Sequence, residues 1–74
     1  MEFDFSKLRG RIVEKCGSVS AFAKKLGISD PAASYRLSNK TPWSGPEIYL
    51  AIQPDCLDIE PEDIPSYFFV PKVR

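Results

Sequence analysis

The first regular signal in the chain is an apolar side chain every three or four positions. Phe5, Leu8, Ile12 and Cys16 fall on one face of a helix. Asp4 is placed to cap its start and Gly17 to end it. The same spacing resumes at Val19, Phe22, Ala23 and Leu26, with Ser18 before it as a cap and Gly27 after it as a stop. A third short helix opens at Ser29. Asp30 and Pro31 occupy its first turn, where a carboxylate complements the positive helix end and a proline forfeits no hydrogen bond. Its inward side is Ala33 and Leu37, and Asn39-Lys40 ends it.

Two short helices joined by Gly27-Ile28-Ser29 have the dimensions of a helix-turn-helix over about residues 18–38. Glycine lets the backbone turn tightly, and Ile28 plugs the angle between the helices. Beyond a loop, Ser44-Gly45-Pro46-Glu47 spells a capping box, and Ile48, Ala51 and Ile52 supply the buried face behind it. Pro54 stops that helix near Gln53. Pro61-Glu62-Asp63-Ile64 opens one more helical turn. Tyr67-Phe68-Phe69-Val70 reads as a β-prone tail cut off by Pro71. Three destinations are open to it: packing across the first helix, pairing with the Phe3 segment as a short ribbon, or contact with a partner. The expected fold is all-α, a five-helix domain over residues 1–74 with a short extended aromatic C-terminal tail. Its expected core is Phe5, Leu8, Ile12, Phe22, Leu26, Ile28, Leu37, Ile48 and Ile52.

Composition narrows the class. With 74 residues, 43% of them hydrophobic, the chain has material for one modest core and no second domain. Met1-Glu2-Phe3-Asp4 is acidic where a signal peptide is basic, and no apolar run approaches the ~20 residues of a membrane span. A cytoplasmic protein is expected. Cys16 and Cys56 are too few for a disulfide scaffold and read as two reduced thiols that serve packing. There is no histidine, no Cys-x-x-Cys pair and no glycine-rich phosphate loop, so neither a metal, a cofactor nor an enzymatic activity is expected. Glu60, Glu62 and Asp63 read as first-turn residues and solvated surface.

Net charge is zero, but it is unevenly spread. Residues 1–40 hold eight basic side chains against four acidic ones, and residues 41–74 hold two against six. The basic half suits phosphate or an acidic partner, unless both halves are ordinary solvated surface.

The stretch FSKLRGRIVEKCGSVSAFAKKLGIS, a short polar helix after it and PEDIPSYFF near the end resemble the small Cro-like and antirepressor (modulator of repression) proteins of temperate phages of Gram-positive bacteria. These are similar to the lambda-repressor-like helix-turn-helix class. The resemblance implies five short helices around one core, a recognition helix over residues 29–40 and a role in a lysis–lysogeny switch. By that match Ala23, Gly27 and Ile28 fill the structural positions of the motif, and Ser29, Asp30, Pro31, Ser34 and Tyr35 face outward. Three departures stand out: Ala33 where a branched aliphatic is usual, the acid Asp30 where relatives carry a neutral or amide side chain, and the broken QPDC segment around Pro54.

Two readings of function follow from the resemblance. One is a Cro-like transcriptional regulator that binds operator DNA through residues 29–40. The alternative is an antirepressor that sets the same surface on the phage lysogeny repressor and blocks its DNA binding. The contact residues implied for either partner are Ser18, Ser20, Lys24, Lys25, Ser29, Asp30, Pro31, Ser34, Tyr35 and Lys40. A homodimer stays open.

Overall fold

The computed structural model describes residues 2–73. Five α-helices follow one another: α1 (Ser6–Cys16), α2 (Val19–Leu26), α3 (Asp30–Leu37), α4 (Gly45–Ala51) and α5 (Ile64–Phe68), the last preceded by a 3₁₀ turn at Pro61–Asp63. The all-helical architecture expected from the apolar spacing is present.

Most helix ends are set by short-range chemistry. The Ser18 hydroxyl accepts the Ala21 N–H at 3.1 Å and the Ser29 hydroxyl accepts the Ala32 N–H at 3.2 Å, each satisfying a first-turn donor. Gly17 and Gly27 stand at φ 87° and 74°, left-handed conformations in which a Cβ is strained. At α4 the capping box closes in both directions: Ser44 Oγ accepts the Glu47 N–H at 3.3 Å, and Glu47 Oε1 accepts the Ser44 N–H at 3.0 Å. The start of α1 differs from expectation. Phe5 occupies the cap position because its ring turns into the core, and Asp4 acts from one residue earlier. Its Oδ1 accepts the Ser6 N–H at 2.8 Å and the Ser6 hydroxyl at 2.6 Å.

Phe5, Leu8, Ile12, Phe22, Leu26, Leu37, Ala51, Cys56, Leu57, Ile59 and Phe68 form the core. Ile28, Ile48 and Ile52, expected inside, are only partly buried and pack against it; Ile28 lies in the turn between α2 and α3, and Ile52 just after α4. Ala23 and Ala33, fully buried on the neighbouring helices α2 and α3, are small enough for close approach. Trp43 lies between Phe22 and Phe68, with ring centroids 6.1 and 5.4 Å away. Its buried Nε1 finds no hydrogen-bond partner among the described residues. Such an orphan donor costs roughly 1–3 kcal/mol, which the aromatic packing around it must offset.

The aromatic tail is a second correction. Tyr67 and Phe68 belong to α5, and the chain extends only after Phe69. Pro61 and Pro65 both stand in first-turn positions, where their fixed φ favours helix, and Phe68 reaches the core only from there. Residues beyond Phe69 pair with the N-terminal segment as a minimal antiparallel ribbon. The Asp4 N–H donates to Val70 O at 2.7 Å and the Lys72 N–H to Glu2 O at 3.0 Å, around the pair Phe3 and Pro71. In this register Phe3 points its own N–H and C=O outward, where the Asn39 amide brackets them at 2.9 and 3.0 Å. On the other side Pro71 has no N–H to offer, so that edge is blunted against further strand pairing.

Candidate functional site

The surface singled out in the sequence is built from the N-terminal end of α2, the outer side of α3 and the turn after it. α3 ends at Leu37, earlier than the expected 29–40, because Asn39 turns into the left-handed region at φ 67° to reach Phe3. Lys40 is therefore not on the helix. Its backbone N–H closes the helix end on Tyr35 O at 2.9 Å, and its ammonium lies 5.3 Å from the centroid of the Tyr35 ring. Tyr35, 48% exposed, is the largest apolar body on this face. Ser34, Pro31 and Asp30 are exposed beside it.

Asp30 is held rather than loose. Ser20 Oγ on α2 donates to its Oδ2 at 2.9 Å, tying the tip of α3 to the neighbouring helix. Ser18 and Ser29 sit at the two helix starts with their oxygens engaged as caps and their hydroxyl protons left to donate outward.

Lysine placement divides the expected set. Lys24 is exposed on the last turn of α2. Lys25 turns away, its ammonium donating to Asp55 O at 2.6 Å in the loop after α4. Three arginines are similarly occupied. Arg36 lies sideways between α3 and α4, forming an ion pair with Glu47 at 2.7 Å and donating back to Ala32 O at 3.0 Å. Both partners are mostly buried. Burial works against charge on Glu47, but the Arg36 guanidinium and the Ser44 N–H outweigh it and hold the carboxyl below its ordinary value. Arg9 donates to Leu37 O at 3.4 Å. Arg11 clamps Leu57 O at 2.8 Å and Asp58 O at 2.7 Å.

A second exposed apolar patch escaped the sequence reading: Tyr49 and Leu50 on α4. The signal was available, since Ile48, Ala51 and Ile52 facing inward leave 49 and 50 outward on a helix. A shallow depression lined by Leu50, Gln53, Asp55, Cys56 and Lys25 lies beside it. No group of three or more potential metal ligands occurs among the described residues, and no helix there is long and apolar enough to cross a membrane.

A family model described as protein of unknown function (DUF739) matches residues 1–71. The chain belongs to that family. Among solved structures it is similar to the solution structure of the modulator of repression of the temperate bacteriophage TP901-1 from Lactococcus lactis. The two share 42% identity over 100% of this chain and 97% of that one, with a TM-score of 0.80. No curated protein matches the chain. The family member is thus similar in sequence and fold to a small phage regulatory protein.

Proposed function

We propose that this family member is an antirepressor of a phage lysis–lysogeny switch. In this reading α2 and α3 form a helix-turn-helix pair of the lambda-repressor-like class. The face carrying Asp30, Pro31, Ser34, Tyr35 and Lys40 docks on the lysogeny repressor and keeps it from operator DNA. The observation that carries the reading is the 42% identity, over the whole chain, to a protein titled a modulator of repression. Cation placement supports it over the Cro-like alternative. Duplex binding draws its affinity from several cations neutralising phosphates, and here Arg9, Arg11, Lys25 and Arg36 reach back to this chain's own acceptors. Tyr35, half exposed on a polar helix, suits a protein interface, where tyrosine anchors are enriched.

The test is a titration of the purified protein against operator DNA, with and without the cognate lysogeny repressor. Release of repressor from DNA, with no complex of this protein on DNA alone, is the expected result. Tight binding to operator DNA alone favours the Cro-like reading and sinks this one. Asp30→Asn sharpens the test, because the amide oxygen still accepts from Ser20 and the α2–α3 tie survives. Against the basic DNA-binding face of a repressor the lost charge weakens the complex. Against DNA it strengthens binding, most at low salt.

A further inference from the structure

The two terminal segments meet beside the end of α3, and hydrogen bonds run from one to the other and on to the helix. The Asp4 N–H donates to Val70 O at 2.7 Å and the Lys72 N–H to Glu2 O at 3.0 Å. Between these bonds Phe3 is held extended, with its own N–H and C=O on the opposite edge of the ribbon. A side-chain amide offers the same donor and acceptor as a peptide group. The Asn39 amide therefore stands in for a third strand, accepting the Phe3 N–H at 2.9 Å and donating to Phe3 O at 3.0 Å. The Phe3 ring meets Phe69 edge-on at 5.6 Å, which adds an apolar contact to the pairing.

Asn39 in turn governs how α3 stops. The Lys40 N–H reaches back to Tyr35 O at 2.9 Å and the Asn39 N–H to Arg36 O at 3.4 Å, the two bonds of a Schellman ending. That ending needs a left-handed residue at position 39, and glycine is the usual one. Asparagine holds φ 67° here, and its amide is what glycine lacks. The turn lays the Lys40 ammonium 5.3 Å from the centroid of the Tyr35 ring and brings the Thr41 N–H onto Tyr35 O at 3.3 Å.

We infer that residues 70–72 are a positioning strand for the α3 face: they hold Phe3, Phe3 holds Asn39, and Asn39 sets Lys40 on Tyr35. The coupling belongs to the free chain, and its consequence for repressor binding rests on the antirepressor reading. The strand is suited to the role because it lies outside the core. The core cluster ends at Phe68, while Val70 is 37% and Val73 91% exposed. Such a segment opens locally with the helices still packed. Once it opens, Phe3 is no longer held extended, the Asn39 amide loses its two partners, and Lys40 is free to leave the tyrosine. A partner that meets the loosened face must order it on binding, and affinity falls by that cost.

The test uses substitutions in the full chain, each checked as folded by circular dichroism and Trp43 fluorescence. Lys72→Pro removes the N–H that bonds Glu2 O and puts a ring carbon in its place, which parts the ribbon. Lys72→Ala keeps that N–H and loses only an exposed ion pair with Glu2, which is worth little. Lys72→Pro should speed amide exchange at Lys40 and Thr41 by about five- to tenfold, the value of one ordinary hydrogen bond, and weaken the repressor complex by a similar factor. Lys72→Ala should do neither. Asn39→Gly keeps the left-handed turn but cuts the link, so in that background Lys72→Pro should add nothing at Lys40, at Thr41 or to repressor binding. Coupling is reciprocal, so Asn39→Gly alone should quicken exchange at Asp4 and Lys72. Unchanged exchange at Lys40 and Thr41 in Lys72→Pro overturns the inference. So does an equal effect in the Asn39→Gly background, or the same response from Lys72→Ala. If Lys72→Pro does not fold, the Asn39→Gly arm decides, and undisturbed Asp4 and Lys72 amides overturn the inference. A wild-type chain that leaves the repressor unbound sinks the antirepressor reading, while the exchange rates still judge the strand.

Discussion

Asn39 performs two tasks that substitution can separate. It holds a left-handed backbone at φ 67°, and its amide brackets the Phe3 N–H and C=O at 2.9 and 3.0 Å. A typical intramolecular hydrogen bond contributes about 1 kcal/mol, so losing both costs about 2 kcal/mol in any variant without the amide. The backbone adds a term that depends on the replacement. Alanine in the left-handed region is strained by roughly 1–2 kcal/mol, whereas glycine is not. Glycine instead loses about 0.4–1 kcal/mol through the greater freedom of the unfolded chain. Asn39→Gly is therefore expected to destabilise by about 2–3 kcal/mol and Asn39→Ala by about 3–4 kcal/mol. That order is the reverse of the one at an ordinary helical site, where glycine is the worse residue. Urea denaturation followed by Trp43 fluorescence measures both, since Trp43 packs against core rings Phe22 and Phe68. Amide exchange at Phe3 should quicken in both variants. Alanine as stable as glycine would refute the role of the positive φ. Both variants within about 0.5 kcal/mol of wild type would refute the clamp itself.

Three further outcomes are expected. Leu26→Ala, in the core, should cost ~2–5 kcal/mol, comparable with the whole stability of so small a domain, and largely unfold it at 37 °C in a thermal melt. Glu47→Gln should cost about 2 kcal/mol at neutral pH by leaving Arg36 mostly buried without its carboxylate, and should flatten the acid dependence of stability. The native Glu47 carboxyl lies below its ordinary 4.5, so its stabilisation is complete above that pH and fades as pH falls through the folded value, as urea midpoints against pH would register. Tyr35→Ala should remain folded by circular dichroism yet weaken the repressor complex by about 2 kcal/mol or more, measured by calorimetric titration.

Helix starts and stops were legible because their chemistry is local. Ser18, Ser29 and the Ser44/Glu47 box each satisfy donors within three residues, and Gly17 and Gly27 relieve a backbone strain that belongs to their own position. Cys56, Leu57 and Ile59 were missed as core because they lie in a turn with no periodicity. What buries them is Arg11, more than forty positions away, reaching across to backbone oxygens that no side-chain pattern records. The β propensity of Tyr67 and Phe68 lost to a tertiary demand: Phe68 is 1% exposed against Trp43, and only a helical turn after Pro65 puts it there. In the candidate site, the outward set on α3 was readable from helical phase. Asn39 as the terminator of α3 was readable too, but not the partner that fixes it there, Phe3, 36 positions away.

The charge asymmetry takes a different meaning once partners are traced. Counted along the sequence, the first forty residues carry an excess of four positive charges, which resembles a phosphate-binding half. In the fold several of those cations serve as internal fasteners. Arg11 and Lys25 hold the acidic half's loop by its carbonyls, Arg36 pairs with that half's Glu47, and Lys7 sits 4.5 Å from the Tyr67 ring centroid. The basic and acidic segments are thus complementary layers of one molecule, joined through guanidinium and ammonium donors to backbone oxygens and one mostly buried carboxylate. A duplex-binding surface would need the same cations aimed at phosphates, and each one redirected would release a piece of the α4–α5 loop or the α3–α4 junction. What is left on the α3 face is a tyrosine, a serine, a proline and a tethered carboxylate, with one lysine lying along the tyrosine ring. Such a face carries little net charge and a half-exposed aromatic anchor, properties that fit the surface of another protein better than a polyanion.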